Sequence, residues 1–262
     1  AKVVAIQDHT GAVANPSGID VEALKAHSDK TGGLGGFGAA DLESGRAANE
    51  RTLYAIGSTT KAFTSTLIGD LVDEGQPQAY CDLKECLSRL KMPCHLLVGN
   101  HDHRGRLLYE FPDLSVDDNG FLQTVIKTSA GLFFQLDTIE QGKAWGVYCE
   151  KRLAWLKNAI ETAQNLPVYL FMHHPPFSVG LPCLDRLGLG TDGERLAEIV
   201  APYANIRHIF FGHVHRPITG SWRGIPYSTM RGTNHQVPFD FDAVEVVPKS
   251  HEQPAYAVVF LE

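Results

Sequence analysis

The chain has 262 residues, 44% of them hydrophobic and 20% charged, which is ordinary for a globular protein and unlike a disordered one. Its net charge of −7 and lack of any Lys/Arg-rich run argue against duplex DNA or RNA as a partner, because tracking a phosphate backbone needs a basic face. No stretch approaches the roughly 20 apolar residues of a membrane span, and residues 1–11 lack a signal-peptide pattern, so a cytoplasmic protein with no membrane partner is expected.

Residues 1–42 are rich in Gly and Ala, with a short apolar strand predicted at 3–6, a helix at 20–27 and a glycine cluster at 32–36. Over 53–72 the spacing of Phe63, Leu67 and Leu71 favours a helix, while Thr59, Thr60, Thr64 and Thr66 pull towards strand. From Gln78 onward helices and strands alternate. A helix at about 81–91 leads into a strand at 95–98. A strand at 132–136 precedes an amphipathic helix over 150–163, with Leu153, Leu156 and Ile160 on one face. Then come a strand at 168–172, a helix at 193–200 and strands at 206–211, 225–230 and 256–261. Buried strands alternating with helices predict a layered α/β fold.

The five cysteines (Cys81, Cys86, Cys94, Cys149, Cys183) show no C-x-x-C spacing and read as reduced thiols. Histidine is the unusual residue: six of the 12 fall in three tight clusters, which suggests metal chemistry. Three segments carry that chemistry. They are Val98-Gly99-Asn100-His101-Asp102, Met172-His173-His174-Pro175-Pro176 and Phe211-Gly212-His213-Val214-His215. Each follows an apolar run and should lie at a strand's C-terminal end, where loops converge on an α/β active site. His213 and His215, two apart on a segment read as extended, would point the same way. Imidazole with carboxylate and amide oxygens suits a site for two divalent ions of intermediate hardness.

With these motifs, Gly69-Asp70-Leu71-Val72-Asp73-Glu74-Gly75 and Thr233-Asn234-His235-Gln236-Val237-Pro238, residues 69–238 resemble the calcineurin-like metallophosphoesterase superfamily. Within it they most resemble the bacterial cyclic-nucleotide and glycerophosphodiester phosphodiesterase group. The resemblance implies a metallophosphoesterase fold, a β-sheet sandwich flanked by helices with its metal site at strand C-terminal ends. It makes 1–262 one such domain with an atypical segment at 1–68. It implies hydrolysis of a small phosphodiester by a metal-bound hydroxide at a dinuclear site, with two ions of the Mn, Fe, Zn or Co class. Asp70 would bridge the ions, Asn100, His173 and His213 would complete one site, and His215 would serve the other. His101 would stabilise the phosphate or protonate the leaving alkoxide, and His235 would face the substrate. His174 and Asp102 would orient ligands. Relatives of this kind often form homo-oligomers.

The family's N-terminal Asp-x-His is missing before residue 70, and Asp8, His9 and Asp29 are its imperfect substitutes. Residues 3–40 resemble instead an internal stretch of glutamate dehydrogenases, too short to bind NAD alone. Residues 54–76 resemble the nucleophile helix of serine β-lactamases, with Ser58-Thr59-Thr60-Lys61 as S-x-x-K. The chain thus reads as a composite. The alternatives to the two-metal enzyme are a phosphodiesterase-like module with an incomplete metal site, and a serine hydrolase acting through Ser58 and Lys61.

Overall fold

Segments such as Val168-Tyr169-Leu170-Phe171-Met172, apolar at every position, suit strands covered on both faces. The computed structural model describes residues 5–7, 12–14, 21–31, 52–54, 75–90, 94–232, 235–253, 255 and 257–261. The chain divides into two compact units, Ala1–Asn49 and Glu50–Glu262. In the first, β1 (Ala5–Gln7) pairs antiparallel with β2 (Ala12–Ala14), followed by α1 (Val21–Thr31) with Leu24 buried. The helix predicted at 20–27 therefore continues through Thr31 and carries the exposed Asp29. Asp8 and His9 lie outside the described residues.

The second unit begins its described part with β3 (Thr52–Tyr54), α2 (Pro77–Ser88) and α3 (Arg104–Glu110). It continues with β4 (Thr124–Thr128), β5 (Gly131–Leu136), α4 (Glu150–Ala163) and β6 (Val168–Met172). Then follow α5 (Pro182–Asp185), α6 (Thr191–Val200), β7 (Ile206–Phe211), β8 (Thr219–Trp222), β9 (Ile225–Thr229) and β10 (Val258–Phe260). Six strands form one mixed sheet in the order β4-β5-β6-β7-β9-β8. The pairs β5–β6, β6–β7 and β7–β9 are parallel, and the edge strands β4 and β8 are antiparallel.

Alternate residues of the central strands feed two apolar layers. Phe134, Leu136, Leu170, Met172, Ile209 and Phe211 join Leu153, Leu156 and Ile160 of α4 and Leu196, Ala197 and Val200 of α6. On the other face Phe133, Tyr169, Phe171 and Phe210 pack with Leu97, Val259 and Leu261. The layered α/β architecture expected from the sequence is thus present, with the two-sided burial that parallel strands require.

Several boundaries differ from expectation. The helix read at 81–91 starts at Pro77, whose fixed φ suits a first helical position, and ends at Ser88. The apolar stretch at 95–98 carries no helix or strand assignment among the described residues. Leu53 and Tyr54 belong to β3, which pairs with β10, so the helix read over 53–72 does not include its first two residues. The rest of that stretch, Ser58, Lys61 and Asp70 included, lies outside the described residues. The edge strands β4 and β8 and the short helices α3 and α5 were not foreseen, since each is too short or too mixed to show a period. All five cysteines are outside disulfides, as read from their spacing.

After β9 side chains help to hold the chain. Arg216, almost fully buried, donates from Nη1 to Glu252 Oε2 at 2.8 Å and from Nη2 to Oε1, while its Nε reaches the Val237 carbonyl. Its guanidinium lies 5.1 Å from the centre of the Phe239 ring. Ser250 and Arg231 also meet the Glu252 carboxylate.

Leu156 is fully buried between α4 and the sheet, so Leu156→Ala should cost about 2–5 kcal/mol of stability, read as a lower urea midpoint at unchanged slope. The Arg216 hydrogen bonds hold the Glu252 carboxyl down, from an ordinary 4.5 to about 2, against the opposing pull of desolvation. A folded-state value below the unfolded one stabilises above the unfolded value and is lost as pH falls through the folded one. The stability difference between the native protein and Glu252→Gln should therefore shrink as pH falls from 4.5 to about 2, measured by urea unfolding at each pH.

Candidate metal centre

Two strands, β6 and β7, place two of the three histidine motifs. Parallel pairing aligns Leu136 with Met172 and Met172 with Phe211, so the loops after β5, β6 and β7 leave the sheet side by side. His173 and His174 follow β6 directly, and the Gly212 N–H donates to the His173 carbonyl at 3.1 Å, joining two of these loops. The Asn100 loop follows residues 95–99, which carry no strand assignment among the described residues.

Asn100 Oδ1 lies 2.8 Å from His173 Nε2 and 3.3 Å from His213 Nδ1, and these two nitrogens are 3.3 Å apart. Both histidines are buried. An amide oxygen only accepts, so if both rings donate to it, they meet each other proton to proton. If one ring accepts from the other, it cannot donate to Asn100. At most two of the three contacts can be hydrogen bonds at once, whereas a cation satisfies all three. At ligand distances of about 2.0–2.1 Å, groups sharing one ion stand roughly 3–3.4 Å apart, and this donor set fits that spacing.

His174 also brings a ring nitrogen within 4.8 Å of those of His173 and His213. Its bonds argue against coordination. Nε2 faces the Ala144 carbonyl at 3.3 Å and so carries the proton, while Nδ1 meets the Thr138 hydroxyl at 2.8 Å. Burial pushes this imidazole's pKa down to about 4, against the upward pull of the Ala144 bond, so it is a neutral ring engaged at both ends.

His213 and His215 do not sit on an extended segment. Their φ values are +67° and +50°, so the two-residue alternation does not apply and the loop coils instead. Such backbone is uncommon outside glycine, though histidine is enriched there, and it clusters at functional sites. His213 turns to Asn100 and His173. His215 turns to His235, its Nδ1 2.8 Å from the His235 carbonyl and the two rings 4.6 Å apart.

The Asn100 loop is held from behind. Asp102 accepts the Gly99 N–H at 2.8 Å and the Tyr80 hydroxyl at 3.0 Å, and the Tyr80 oxygen accepts the His103 N–H at 2.8 Å. Burial and the Asp102 charge push the Tyr80 hydroxyl far above its ordinary pKa, so it stays a donor. At the next residue pair, Arg104 grips the buried Asp137 at 2.6 and 2.8 Å. Gly99 packs under His173, where an added Cβ would stand 2.9 Å from Cε1. His101, half-buried, occupies the turn between Asn100 and Asp102.

Tyr80, Thr138, Gly232 and Gln236 had no assigned role in the sequence reading. Tyr80 lies 20 positions from Asn100, and no periodic signal links them. Asp70 lies outside the described residues, and with it any view of a bridging carboxylate.

A model of the calcineurin-like phosphoesterase family matches residues 39–217, and one of the glutamate/leucine/phenylalanine/valine dehydrogenases matches residues 1–62. The phosphoesterase match includes the stretch 54–76 that looked β-lactamase-like. The chain is 41% identical over 197 residues to a probable cyclic nucleotide phosphodiesterase of Rhodopseudomonas palustris, covering 74% of this chain and 72% of that protein. It is 34% identical over 173 residues to a probable glycerophosphodiester phosphodiesterase of Arcobacter nitrofigilis, covering 66% of this chain and 63% of that protein. In fold it resembles the crystal structure of a dimetal phosphatase from Danio rerio, with a TM-score of 0.50 at 12% identity, over 71% of this chain and 77% of that one. No helix among the described residues is long and apolar enough to cross a membrane. The aligned strand ends, the Asn100–His173–His213 cluster and a family match over most of the chain lead to one conclusion: the chain belongs to the calcineurin-like phosphoesterase family and is a hydrolase of phosphate esters.

Proposed function

We propose that this protein hydrolyses small phosphodiesters, of cyclic-nucleotide or glycerophosphodiester type, at a centre of two divalent ions. The substrate class is supported by the names of the two relatives, and one ion of the centre by the three-way contact of Asn100, His173 and His213. That contact is the observation that carries the reading, because one shared cation would satisfy all three approaches where hydrogen bonds satisfy at most two.

In this reading Asn100, His173 and His213 would hold one ion, His215 would serve the second, and the Asp70 carboxylate would serve both. Divalent ions there would supply Lewis-acid polarisation of the phosphate and an activated water. His101 stands beside Asn100 and donates a proton to the departing alkoxide or a hydrogen bond to the phosphate oxygens. His235, packed on His215, faces the substrate. Asp102 and His174 keep the ligand-bearing loops in place through Gly99 and Tyr80 on one side and Thr138 and Ala144 on the other. The net charge of −7 favours a compact diester held by cations over a long polyanion tracked by basic side chains.

With Mn or Zn supplied, the purified protein should cleave bis(p-nitrophenyl) phosphate and hold two metal equivalents, and His213→Ala should abolish cleavage and reduce bound metal. Undiminished turnover by His213→Ala would overturn the reading. One equivalent in the native protein, with little turnover, would support the incomplete-site module instead.

A further inference from the structure

The His215 ring rests on the main chain that carries His235. Its Nδ1 lies 2.8 Å from the His235 carbonyl oxygen, which only accepts, so Nδ1 holds the proton and the ring lone pair sits on Nε2. One buried side chain aims that carbonyl. Gln236 donates from Nε2 to the Gly232 carbonyl at 2.6 Å, and its Oε1 accepts the Gly232 N–H at 2.9 Å. The paired amide contacts join Gly232 to Gln236. The main chain of Gln236 in turn exchanges two 2.8 Å hydrogen bonds with Ser250, which ties Gln236 to the C-terminal segment.

Gly232 completes the arrangement by having no side chain. A Cβ there would stand 2.6 Å from the His235 carbonyl oxygen and 2.8 Å from His215 Nδ1. The clash falls on the two atoms of the bond itself, and one of them is main chain that cannot swing aside. Gly232 is not among the positive-φ glycines, so the need for glycine here is one of space and not of backbone conformation.

We infer that Gly232 and Gln236 are positioning residues that fix the tautomer of His215 and so present its Nε2 to the second ion. This rests on the proposed role of His215 as a ligand of that ion. A hydrogen-bond acceptor behind a metal-binding imidazole orients the ring and raises its basicity, and losing such a partner weakens metal affinity by about 10–100-fold.

The test uses the full chain, stripped with chelator and titrated with Mn, together with long-range proton–nitrogen NMR of the histidine rings in the metal-free protein. The His215 signals are assigned by their loss in His215→Ala. Gly232→Ala and Gln236→Ala should keep the first binding step of the native protein, weaken the second about 10–100-fold and shift His215 away from its Nδ1–H tautomer. Native binding of both ions, or an intact Nδ1–H tautomer in both variants, would overturn the inference. Gln236→Ala adds no clash and carries the test if Gly232→Ala does not fold. If His215→Ala leaves the second step unchanged, the ligand role of His215 fails. The tautomer shift then still reports whether Gly232 and Gln236 hold the ring.

Discussion

The register of the parallel strands is the constraint on which the site depends. Leu136 pairs with Met172, and Met172 with Phe211, so three strands stop at one level and release their loops together. Because side chains alternate with a period of two, a one-residue slip would reverse every face of β6. Phe171 would leave the layer of Tyr169 and Phe210, and Met172 that of Leu170 and Phe211. The burial of both faces therefore fixes where His173 and His213 begin, before any contact between them is made.

A second layer of polar bonds joins the remaining loop to this edge. Asp137, the residue after β5, accepts the Leu122 and Ile139 N–H groups at 3.0 and 3.1 Å and binds Arg104 at two points. Arg104 also donates to the Ile139 carbonyl at 2.6 Å, so the start of α3 is fastened to the end of the sheet. Burial alone would lower the Arg104 pKa, but Asp137 more than offsets it and the net shift is upward. Removing one partner of such a buried pair strands the other, at a cost of roughly 3–5 kcal/mol. Asp102 and Tyr80 extend the same fastening to Gly99 and His103, on either side of Asn100 and His101.

The N-terminal third remains distinct in character. Its first 62 residues resemble a dehydrogenase family, while the phosphoesterase match already begins at residue 39. Among its described residues the unit Ala1–Asn49 offers a small hairpin and one helix, and Asp29 on that helix is exposed to solvent. An exposed helical carboxylate is a poor match for the strand-borne Asp-x-His that the family resemblance calls for.

By itself the sequence determined the alternation of helix and strand, the limits of β6, β7 and α4, and the family, through three histidine motifs after apolar runs. These were legible because burial on two faces leaves unbroken apolar runs and burial on one face leaves a helical period. The short edge strands and α3 were not, since few of their residues are buried and no period forms. The family resemblance implied which histidines share a site, but residue spacing did not, and only the tertiary structure supplies the contacts. Spacing grouped His173 with His174 and His213 with His215, yet hydrogen bonds turn His174 to Thr138 and Ala144, and left-handed backbone turns His213 and His215 towards different partners. Those outcomes depend on groups that stand from 20 to more than 100 residues away along the chain. Local pattern records what a residue can do, and long-range packing selects the partner with which it does it.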